Sequence, residues 1–569
     1  MSIFRKRLLL SLFMVIALTL PLVPMASAQG PVSITILHTN DVHGNLEVDY
    51  NGRGGAANIA GYVDEVKAEV GAENVVLLDA GDAMQGQPIS NLLEGASTID
   101  IYNMMGYKAA AIGNHEFDWG QDVLAAREVQ SNFPWLAANI VVAGTNDHPA
   151  WITPWTVVEV AGVKLGIIGL GYTETPSITR KGLTDGLEFQ DPVAAVSRYY
   201  DEVEAQSDAL ILLVHIGWED RGEHKGGETI ATELAVAGKP VDLIIGGHSH
   251  EEAEAPHMAG DTPYVIAYNY GRWVGRADVT VDPAAQKLTL VNWEGHAINE
   301  GEVTPNADVA AKVAGYKAQM DPLTSKVVGT TSVSLVRDYN AESNMGNIVA
   351  DAMRDYAKVD IAFTNPGGLR EDILLAEGET EHKVTWGETY AVMPFANTLY
   401  NMDLTGAQIM ELLNQSATLH KGIIQSSGIT WSYYNDCDCN EPTAWGALDV
   451  KVGGEPLQID KVYRVTTNDF LAGGQDEWTT FADGTNRENT YVDIQEVFND
   501  YIGAHSPIAP AVEGRITQVE VPAELPATGV ELPTEQMAGV IILLGATLIV
   551  VGIYVRRRAQ NEIVSRYRA

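Results

Sequence analysis

Continuous apolar runs recur along the first half of the chain, and stretches with helical spacing separate several of them. Runs without alternation are typical of strands that are buried on both faces, because neither set of side chains then reaches water. The pattern therefore predicts an α/β layered domain over about residues 33–247. The predicted strands are 33–37, 74–78, 109–112, 163–170, 209–214 and 241–245, with helices at 55–70 and 122–130.

A second unit follows a polar stretch near residue 321. Residues 306–320 have helical spacing, and the polar residues 321–326 are expected to link the two units. Beyond them, helical and strand patterns alternate, which predicts a smaller α+β domain. The predicted boundaries are 31–300 for the first domain, 301–326 for the linker helix and hinge, and 327–519 for the second domain. Within the second domain, helices are predicted at 345–357 and 406–416 and a strand at 463–467.

Both ends of the chain are predicted to be targeting segments, which direct the protein to its location and are not part of its folded body. Residues 5–7 are basic, residues 8–20 are apolar, and Ala26-Ser27-Ala28 follows, which is the order of a secretory signal peptide cleaved after Ala28. An uncleaved anchor is the alternative, although the apolar run is short for a bilayer. Residues 1–28 are therefore expected to direct export.

The other end carries an uncharged apolar stretch, 537–555, with a basic tail at 556–569. This order predicts a transmembrane span whose tail lies in the cytoplasm. The tether 520–536 contains Leu525-Pro526-Ala527-Thr528-Gly529, so the whole segment resembles a Gram-positive cell-wall sorting signal, which a sortase cuts between Thr528 and Gly529. A plain single-pass anchor is the alternative, and in both cases the body lies outside the cell.

Charge and cysteine content narrow the possible functions. The 36 basic and 75 acidic residues give a net charge of −39, which disfavours duplex nucleic acid as a partner. A disulfide between Cys437 and Cys439 could not stabilise the fold of a chain of this size, and it would close a small, strained loop. The two cysteines could equally be free thiols.

Metal-binding side chains follow five of the predicted strands. Because ligands gather beyond the carboxyl ends of strands in α/β domains, five such endings in chain order are more informative than any one alone. Carboxylate, imidazole and carboxamide groups suit two adjacent divalent cations, Zn²⁺ or Mn²⁺, and such a pair activates water and binds phosphoryl oxygens in hydrolysis. The endings contain Asp41 and His43; Asp82; Asn114, His115 and Asp118; His215; and His248 and His250.

These ordered motifs resemble those of the calcineurin-like metallophosphoesterases. The longer sequences around two of them, residues 37–44 and 114–118, resemble the secreted 5′-nucleotidase family in particular. The resemblance implies a four-layered α/β/β/α catalytic domain that holds two metal ions, with Asp82 bridging them. It implies one ion bound by Asp41, His43, Asp82 and His250, and the other by Asp82, Asn114, His215 and His248. This chain departs from some relatives at His250, where they carry Gln or Asn.

The resemblance also implies a catalytic pair that does not bind metal. His115 would stabilise the phosphoryl transition state or assist the leaving oxygen, and Asp118 would orient its ring. A carboxylate three residues away agrees with this role, because it fixes the tautomer of the histidine and prepares it to donate.

The second domain contains motifs that resemble the C-terminal domain of the same family. Arg337 and Arg370 would contact the phosphate or nucleotide, Asn365 belongs to the same motif as Arg370, and Phe395 and Phe470 would stack on the base. Ordinary packing of the phenylalanines and pairing of the arginines with surface acids are the alternative interpretations.

The residue that would bind the ribose hydroxyls is ambiguous in this chain. The family commonly has Gly-Gly-Asp at this place, whereas this chain has Gly473-Gly474-Gln475-Asp476. Asp476 is favoured over Gln475 because a carboxylate can accept from two hydroxyls.

Together these features predict an exported, surface-anchored hydrolase that converts nucleoside 5′-monophosphates to nucleoside and phosphate. A nucleotide-sugar or dinucleotide pyrophosphatase and a 2′,3′-cyclic nucleotide phosphodiesterase are the nearest alternatives, because the same metals cleave those bonds. A surface adhesin or nucleotide-binding protein without turnover is an alternative of another class.

Overall fold

The structure is a computed structural model that describes residues 30–49, 51–436 and 443–522. The predicted signal peptide, both cysteines, the sorting pentapeptide, the span 537–555 and the basic tail lie outside these residues. Within them, no helix is long and apolar enough to cross a membrane.

Two six-stranded sheets form the body of the first domain, beside a small two-stranded sheet, and four neighbouring strands of each large sheet are parallel. The spatial orders are β14-β13-β1-β2-β3-β4 and β11-β12-β10-β9-β7-β6. Strands β1, β2, β3 and β4 run parallel to one another, as do β7, β9, β10 and β12, and the remaining strands of each sheet are antiparallel to their neighbours. The strands are β1 Val32–Thr39, β2 Val75–Asp79, β3 Ala109–Ala111, β4 Trp135–Leu136, β5 Ile140–Val142, β6 Trp155–Val160, β7 Val163–Leu170, β8 Leu187–Phe189, β9 Ala209–Val214, β10 Leu243–Ile245, β11 His257–Ala259, β12 Thr262–Val265, β13 Trp273–Asp282 and β14 Lys287–Ala297.

The two sheets pack face to face, and helices cover their outer faces. A core of strand side chains such as Ile36, Leu78, Ile211 and Leu243 lies between the sheets. Separate cores join each outer face to its helices. This is the predicted α/β/β/α arrangement, and its fully buried strands explain the unbroken apolar runs. The helices of this domain are α1 Ala56–Val70, α2 Pro88–Asn91, α3 Ala96–Met105, α4 Gln121–Gln130, α5 Thr175–Ile178, α6 Pro192–Glu204 and α7 Gly227–Val236.

A long helix, α8 Ala307–Thr324, joins the two domains. The side chain of Asn306 caps it by accepting from the N–H groups of Asp308 and Val309, which satisfies donors of the first turn. The helix continues through most of the polar stretch 321–326. That stretch is therefore largely helical, and only its last two residues connect α8 to the next strand.

The second domain is built on a five-stranded and a four-stranded sheet, in the orders β19-β16-β23-β18-β24 and β22-β21-β20-β25, with a two-stranded sheet of β15 and β17. Its strands are β15 Val327–Thr331, β16 Ile361–Thr364, β17 His382–Thr385, β18 Thr398–Thr405, β19 Gln425–Ser427, β20 Ile429–Asn435, β21 Trp445–Val452, β22 Glu455–Pro456, β23 Val462–Asn468, β24 Thr485–Asp493 and β25 Ile516–Gln518. Its helices are α9 Asn344–Ala357, α10 Trp386–Val392, α11 Gly406–Ala417, α12 Asp469–Ala472 and α13 Ile494–His505.

Local capping signals set where several of these helices begin. Thr405 and Gln408 form a capping box at α11, in which each side chain binds the other residue's backbone N–H. Ser343 caps α9 by accepting from the Gly346 N–H. The predicted helices at 345–357 and 406–416 therefore start within one residue of the observed ones.

Candidate active site

The loops that follow β1, β2, β3, β9 and β10 converge at one end of the two packed sheets. Many of the candidate ligands there adopt left-handed backbone conformations, which side chains other than glycine seldom occupy. Such strain concentrates at functional sites because the surrounding structure must enforce it. The residues and their φ angles are Asp41 at 51°, His43 at 51°, Asp82 at 54°, His248 at 73° and His250 at 53°.

Asp41, His43 and His250 form one group whose ligand atoms lie within 4.8 Å of one another. His250 Nε2 is 3.2 Å from both His43 Nε2 and Asp41 Oδ1. His43 Nε2 also lies 3.9 Å from Asp82 Oδ2, which places the predicted shared carboxylate beside this group. His250 is the outermost member, with 26% of its side chain exposed, whereas Asp41 is fully buried.

Asp82, His215 and His248 form the second group. His215 Nε2 is 3.0 Å from Asp82 Oδ2, and His248 Nδ1 is 3.0 Å from Asn114 Oδ1. The structure therefore brings together all four residues predicted for this ion. Asp82 Oδ2 lies near histidines of both groups, as a bridging ligand would.

Backbone carbonyls orient two of the imidazole rings. The Ala80 carbonyl lies 2.8 Å from His215 Nδ1, and the Gln85 carbonyl lies 2.8 Å from His43 Nδ1. A carbonyl can only accept, so each Nδ1 carries the proton and each Nε2 is left free to bind a cation. His215 Nε2 is completely buried and lies 3.0 Å from the carboxylate oxygen Oδ2 of Asp82.

The charges of the site favour a cation. Burial alone would lower the pKa of His215, but the carboxylates of Asp82 and Asp41 outweigh burial and raise it to about 10. Burial lowers the pKa of both His43 and His248 well below the ordinary value, so their rings are neutral ligands. A metal ion would supply the positive charge that these carboxylates attract, and its binding would release the proton of the imidazole. The oxygen and nitrogen donors thus fit divalent cations.

His115 and Asp118 form the expected pair beside the two groups. His115 Nδ1 donates to Asp118 Oδ2 across 2.8 Å, which leaves Nε2 available to a substrate. Burial lowers the pKa of His115, but Asp118 and Asp82 more than offset it, so the pKa is raised above the ordinary value. The ring is therefore prepared to act as a proton or hydrogen-bond donor.

A cavity of about 470 Å³ lies between the two domains and extends from the candidate ligands into the second domain. The six substrate-binding candidates all line it: Arg337, Asn365, Arg370, Phe395, Phe470 and Asp476. The Phe395 ring stacks on the His115 ring at a centroid distance of 5.6 Å, and the Arg370 guanidinium lies 5.8 Å from the Phe395 centroid. Predictions made separately for the two domains thus meet in one cavity.

Asp476 and Gln475 have different surroundings. Asp476 lines the cavity, and its Oδ2 accepts from Asn365 Nδ2 at 3.2 Å. The Gln475 side chain instead donates to the carbonyls of Pro176 and Thr179, at 3.1 and 2.6 Å, in the first domain. Gln475 therefore binds the two domains together, which supports Asp476 as the residue that faces a ligand.

Several lining residues were not predicted from the sequence. Tyr268, Asn269 and Tyr270 follow β12, so the strand-end rule would have found them had this fourth parallel strand been recognised. Arg180 and Lys421 come from irregular segments that no motif marks. The remaining unpredicted charged and aromatic residues of the wall include Arg221, Arg272 and Tyr339.

Comparisons with known proteins place this architecture. Residues 34–252 match the calcineurin-like phosphoesterase family, and residues 325–483 match the 5′-nucleotidase C-terminal domain. A 5′-nucleotidase of Vibrio cholerae is 30% identical over 535 residues, a match that covers 85% of this chain and 94% of that protein. This chain belongs to the 5′-nucleotidase family.

Another curated protein and a solved structure are also similar to this chain. A cell wall protein of Listeria monocytogenes is 30% identical over 520 residues, which cover 80% of this chain but only 65% of that longer protein. The crystal structure of a 5′-nucleotidase precursor from Thermus thermophilus superposes with a TM-score of 0.75 at 28% identity and covers 86% of this chain and 100% of that one. Members of the 5′-nucleotidase family are metal-dependent phosphoester hydrolases, and the two ligand groups described above agree with such chemistry.

Proposed function

We propose that this 5′-nucleotidase family member acts outside the cell and hydrolyses nucleoside 5′-monophosphates to nucleoside and phosphate. The cavity that connects members of both cation-binding groups to arginines and phenylalanines of the second domain carries this proposal. It offers one end to a phosphate and the other to a nucleoside, which are the two parts of such a substrate.

The proximity of the ligand atoms supports the metal assignment that the family motifs imply. Asp41, His43, Asp82 and His250 would hold one cation, and Asp82, Asn114, His215 and His248 the other, with Zn²⁺ or Mn²⁺ as the expected metals. When bound, such a pair lowers the pKa of water and neutralises charge on phosphoryl oxygens.

The protein supplies the remaining chemistry near the phosphate. His115, whose Nδ1 is held by Asp118, presents Nε2 to stabilise a phosphoryl oxygen or to donate a proton to the departing ester oxygen. The partly buried Arg370 lines the same cavity, and its guanidinium is suited to bind phosphate oxygens in pairs.

The nucleoside would occupy the second-domain end of the cavity. Phe395 and Phe470 provide aromatic faces on which any base can stack, at about 1–3 kcal/mol per base. Asp476 is held by Asn365 and would accept hydrogen bonds from the ribose hydroxyls.

The local charge allows an anionic substrate to approach an acidic protein. The acidic residues that line the cavity are Asp82, Asp118 and Asp476, whereas the cationic ones are Arg180, Arg221, Arg272, Arg337, Arg370 and Lys421. The excess of cations over acids in the wall attracts phosphate even though the whole chain has a net charge of −39.

The location outside the cell rests on the sequence at the two ends and on the similarity to a cell wall protein. Residues 1–28 would direct export. Sortase cleavage at Thr528 would then attach the body to the wall, and without cleavage the span 537–555 would anchor it to the membrane. Mass spectrometry of the mature protein distinguishes these forms by its two termini.

The activity is tested by phosphate release from AMP, ribose 5-phosphate, a UDP-sugar and a 2′,3′-cyclic nucleotide, measured before and after chelation and after restoring Zn²⁺ or Mn²⁺. Metal-dependent release that is fastest from AMP is the expected result. Faster cleavage of the UDP-sugar or the cyclic nucleotide would replace the proposed substrate, and nucleotide binding without any turnover would favour a non-catalytic binding protein.

A further inference from the structure

Glu116 lies between two of the loops that carry the candidate metal ligands, and no role has been assigned to it so far. The residue is completely buried. Its Oε2 accepts from the N–H groups of Asp82 at 2.9 Å and Gly113 at 2.8 Å, and its Oε1 accepts from the N–H of Ala83 at 2.9 Å. One carboxylate thus binds three backbone donors from the loops after β2 and β3.

The two loops also hold each other in the opposite direction. Asp82 Oδ1 accepts from the backbone N–H of His115 at 2.8 Å. The Glu116 carboxylate therefore holds the backbone of Asp82, while the Asp82 carboxylate holds the backbone just before Glu116. The packing leaves no spare room, since a Cβ on Gly113 would lie 2.2 Å from Asp82 Oδ1 and 2.8 Å from Glu116 Oε2.

We propose that Glu116 is a positioning residue that fixes the bridging ligand Asp82 relative to Asn114, so that two cations can bind side by side. Asp82 has a left-handed backbone, with φ of 54°, and it needs outside contacts to keep that conformation. The proposal rests on the ligand assignment of the proposed function, because it concerns the spacing of those ligands.

Only a carboxylate satisfies this arrangement. Both Glu116 oxygens accept, whereas a glutamine offers one acceptor oxygen and an NH₂ group that would face at least one backbone N–H. Glu116→Gln keeps the size of the side chain but places its NH₂ group against a backbone N–H group, so that two hydrogen-bond donors face each other. We therefore expect the loops to shift apart without a large change in the fold.

The second domain offers a matched control. Glu342 is also buried, and its carboxylate accepts from the N–H groups of Glu513 at 2.7 Å and Ile516 at 3.2 Å and from Asn347 Nδ2 at 2.6 Å. Glu342→Gln makes the same chemical change in a network that contains no candidate metal ligand. It reports the general cost of disturbing a buried carboxylate.

The experiment titrates Mn²⁺ into the metal-free full chain and its variants, by calorimetry and by electron paramagnetic resonance. The wild type and Glu342→Gln should bind two ions whose spectrum shows magnetic exchange through a shared ligand. Glu116→Gln should bind the second ion about 10- to 100-fold more weakly, as expected when an outer-shell partner is lost, and should show the spectrum of isolated Mn²⁺.

Wild-type affinity and exchange coupling in Glu116→Gln would overturn the proposal. If Glu116→Gln does not fold, Glu116→Asp makes the same comparison, because it keeps two acceptor oxygens but on a shorter side chain. The second ion should then bind more weakly than in the wild type but less weakly than expected for Glu116→Gln. Undiminished affinity in Glu116→Asp would also overturn the proposal. Failure of the wild type itself to bind two ions would refute the ligand assignment instead.

Discussion

The metal-binding half of the cavity takes its side chains from loops directly after buried parallel strands of the first domain. The nucleoside half takes its side chains from the second domain, where Asn365 and Phe470 also follow parallel strands, β16 and β23, but Phe395 lies in a loop. Asp41 and His215 are completely buried in the first domain. Phe395 and Phe470, in the second domain, are only partly buried. The first half is therefore fixed by one domain's core, and the second depends also on how the domains meet.

Contacts across the domain boundary show this dependence. The Arg180 guanidinium of the first domain donates to the Phe395 carbonyl at 2.7 Å. Lys421 of the second domain pairs with the buried Glu174 of the first at 2.5 Å, next to Asp476 in the cavity wall. The position of the nucleoside half relative to the metal ligands thus depends on contacts across the domain boundary, which also include the stacking of Phe395 on His115, whereas the spacing of the metal ligands depends on the packed sheets of one domain. Loss of a metal ligand should consequently affect every substrate, and loss of a nucleoside contact only those substrates that carry a base.

The largest effect is expected for Asp82→Asn. The amide oxygen can still accept from the His115 N–H, but the charge beside His215 and His43 is lost, so metal binding and charge neutralisation both suffer. We expect a loss of about 3 kcal/mol or more of transition-state stabilisation, roughly 100-fold or more in kcat, for AMP and ribose 5-phosphate alike.

This prediction is checked by phosphate release together with the metal content of the purified protein. Asp122→Asn, at an exposed position on α4, is the control and should behave as wild type. Normal turnover by Asp82→Asn would show that the shared carboxylate is dispensable.

A smaller and more selective effect is expected for Phe470→Ala. Removal of one aromatic face should cost about 1–3 kcal/mol of base stacking, roughly 5- to 150-fold in kcat/KM for AMP. Turnover of ribose 5-phosphate, which has no base, should be nearly unchanged, and this substrate serves as the internal control. An equal loss for both substrates would mean that Phe470 supports the cavity rather than the base.

The comparison also explains how much the sequence could predict. Ligands at strand ends are predictable, because a buried parallel strand leaves an unbroken apolar run and the next few residues must lie at the edge of the sheet. All seven candidate ligands were predicted in this way with the help of family motifs, and the structure brings their side chains together. The hypothesis that they bind metal remains to be tested by the titrations above.

Residues that depend on the domain arrangement were harder to predict. Lys421 and Arg180 lie in segments without a distinctive pattern, and only the folded contact between domains brings them to the cavity. The choice between Gln475 and Asp476 was ambiguous for the same reason, since spacing alone does not show that Gln475 bonds across the boundary. The helical linker was underestimated because polar residues near 321 resemble a loop, although they continue α8.

The smallest effect concerns pH and the nucleoside half. Burial raises the pKa of Asp476 to about 6, although Lys421 opposes the shift. Above pH 7 the carboxylate is ionised and can accept from the ribose hydroxyls, whereas below pH 6 it is protonated and loses part of this capacity. The KM for AMP should therefore rise roughly fivefold as the pH falls from 7 to 5, which corresponds to a loss of about 1 kcal/mol of binding free energy.

The substrate phosphate titrates in the same range, with a second pKa of about 6, so the wild type must be compared with Asp476→Asn. The variant cannot lose a carboxylate charge, and its KM should change with pH only as far as the phosphate dictates. The ratio of the two KM values between pH 5 and 7 thus isolates Asp476, and kcat for ribose 5-phosphate monitors the metal half under the same conditions. A ratio that stays constant across this range would remove Asp476 from ribose binding. A ratio that changes together with the control would place the titration among the metal ligands instead.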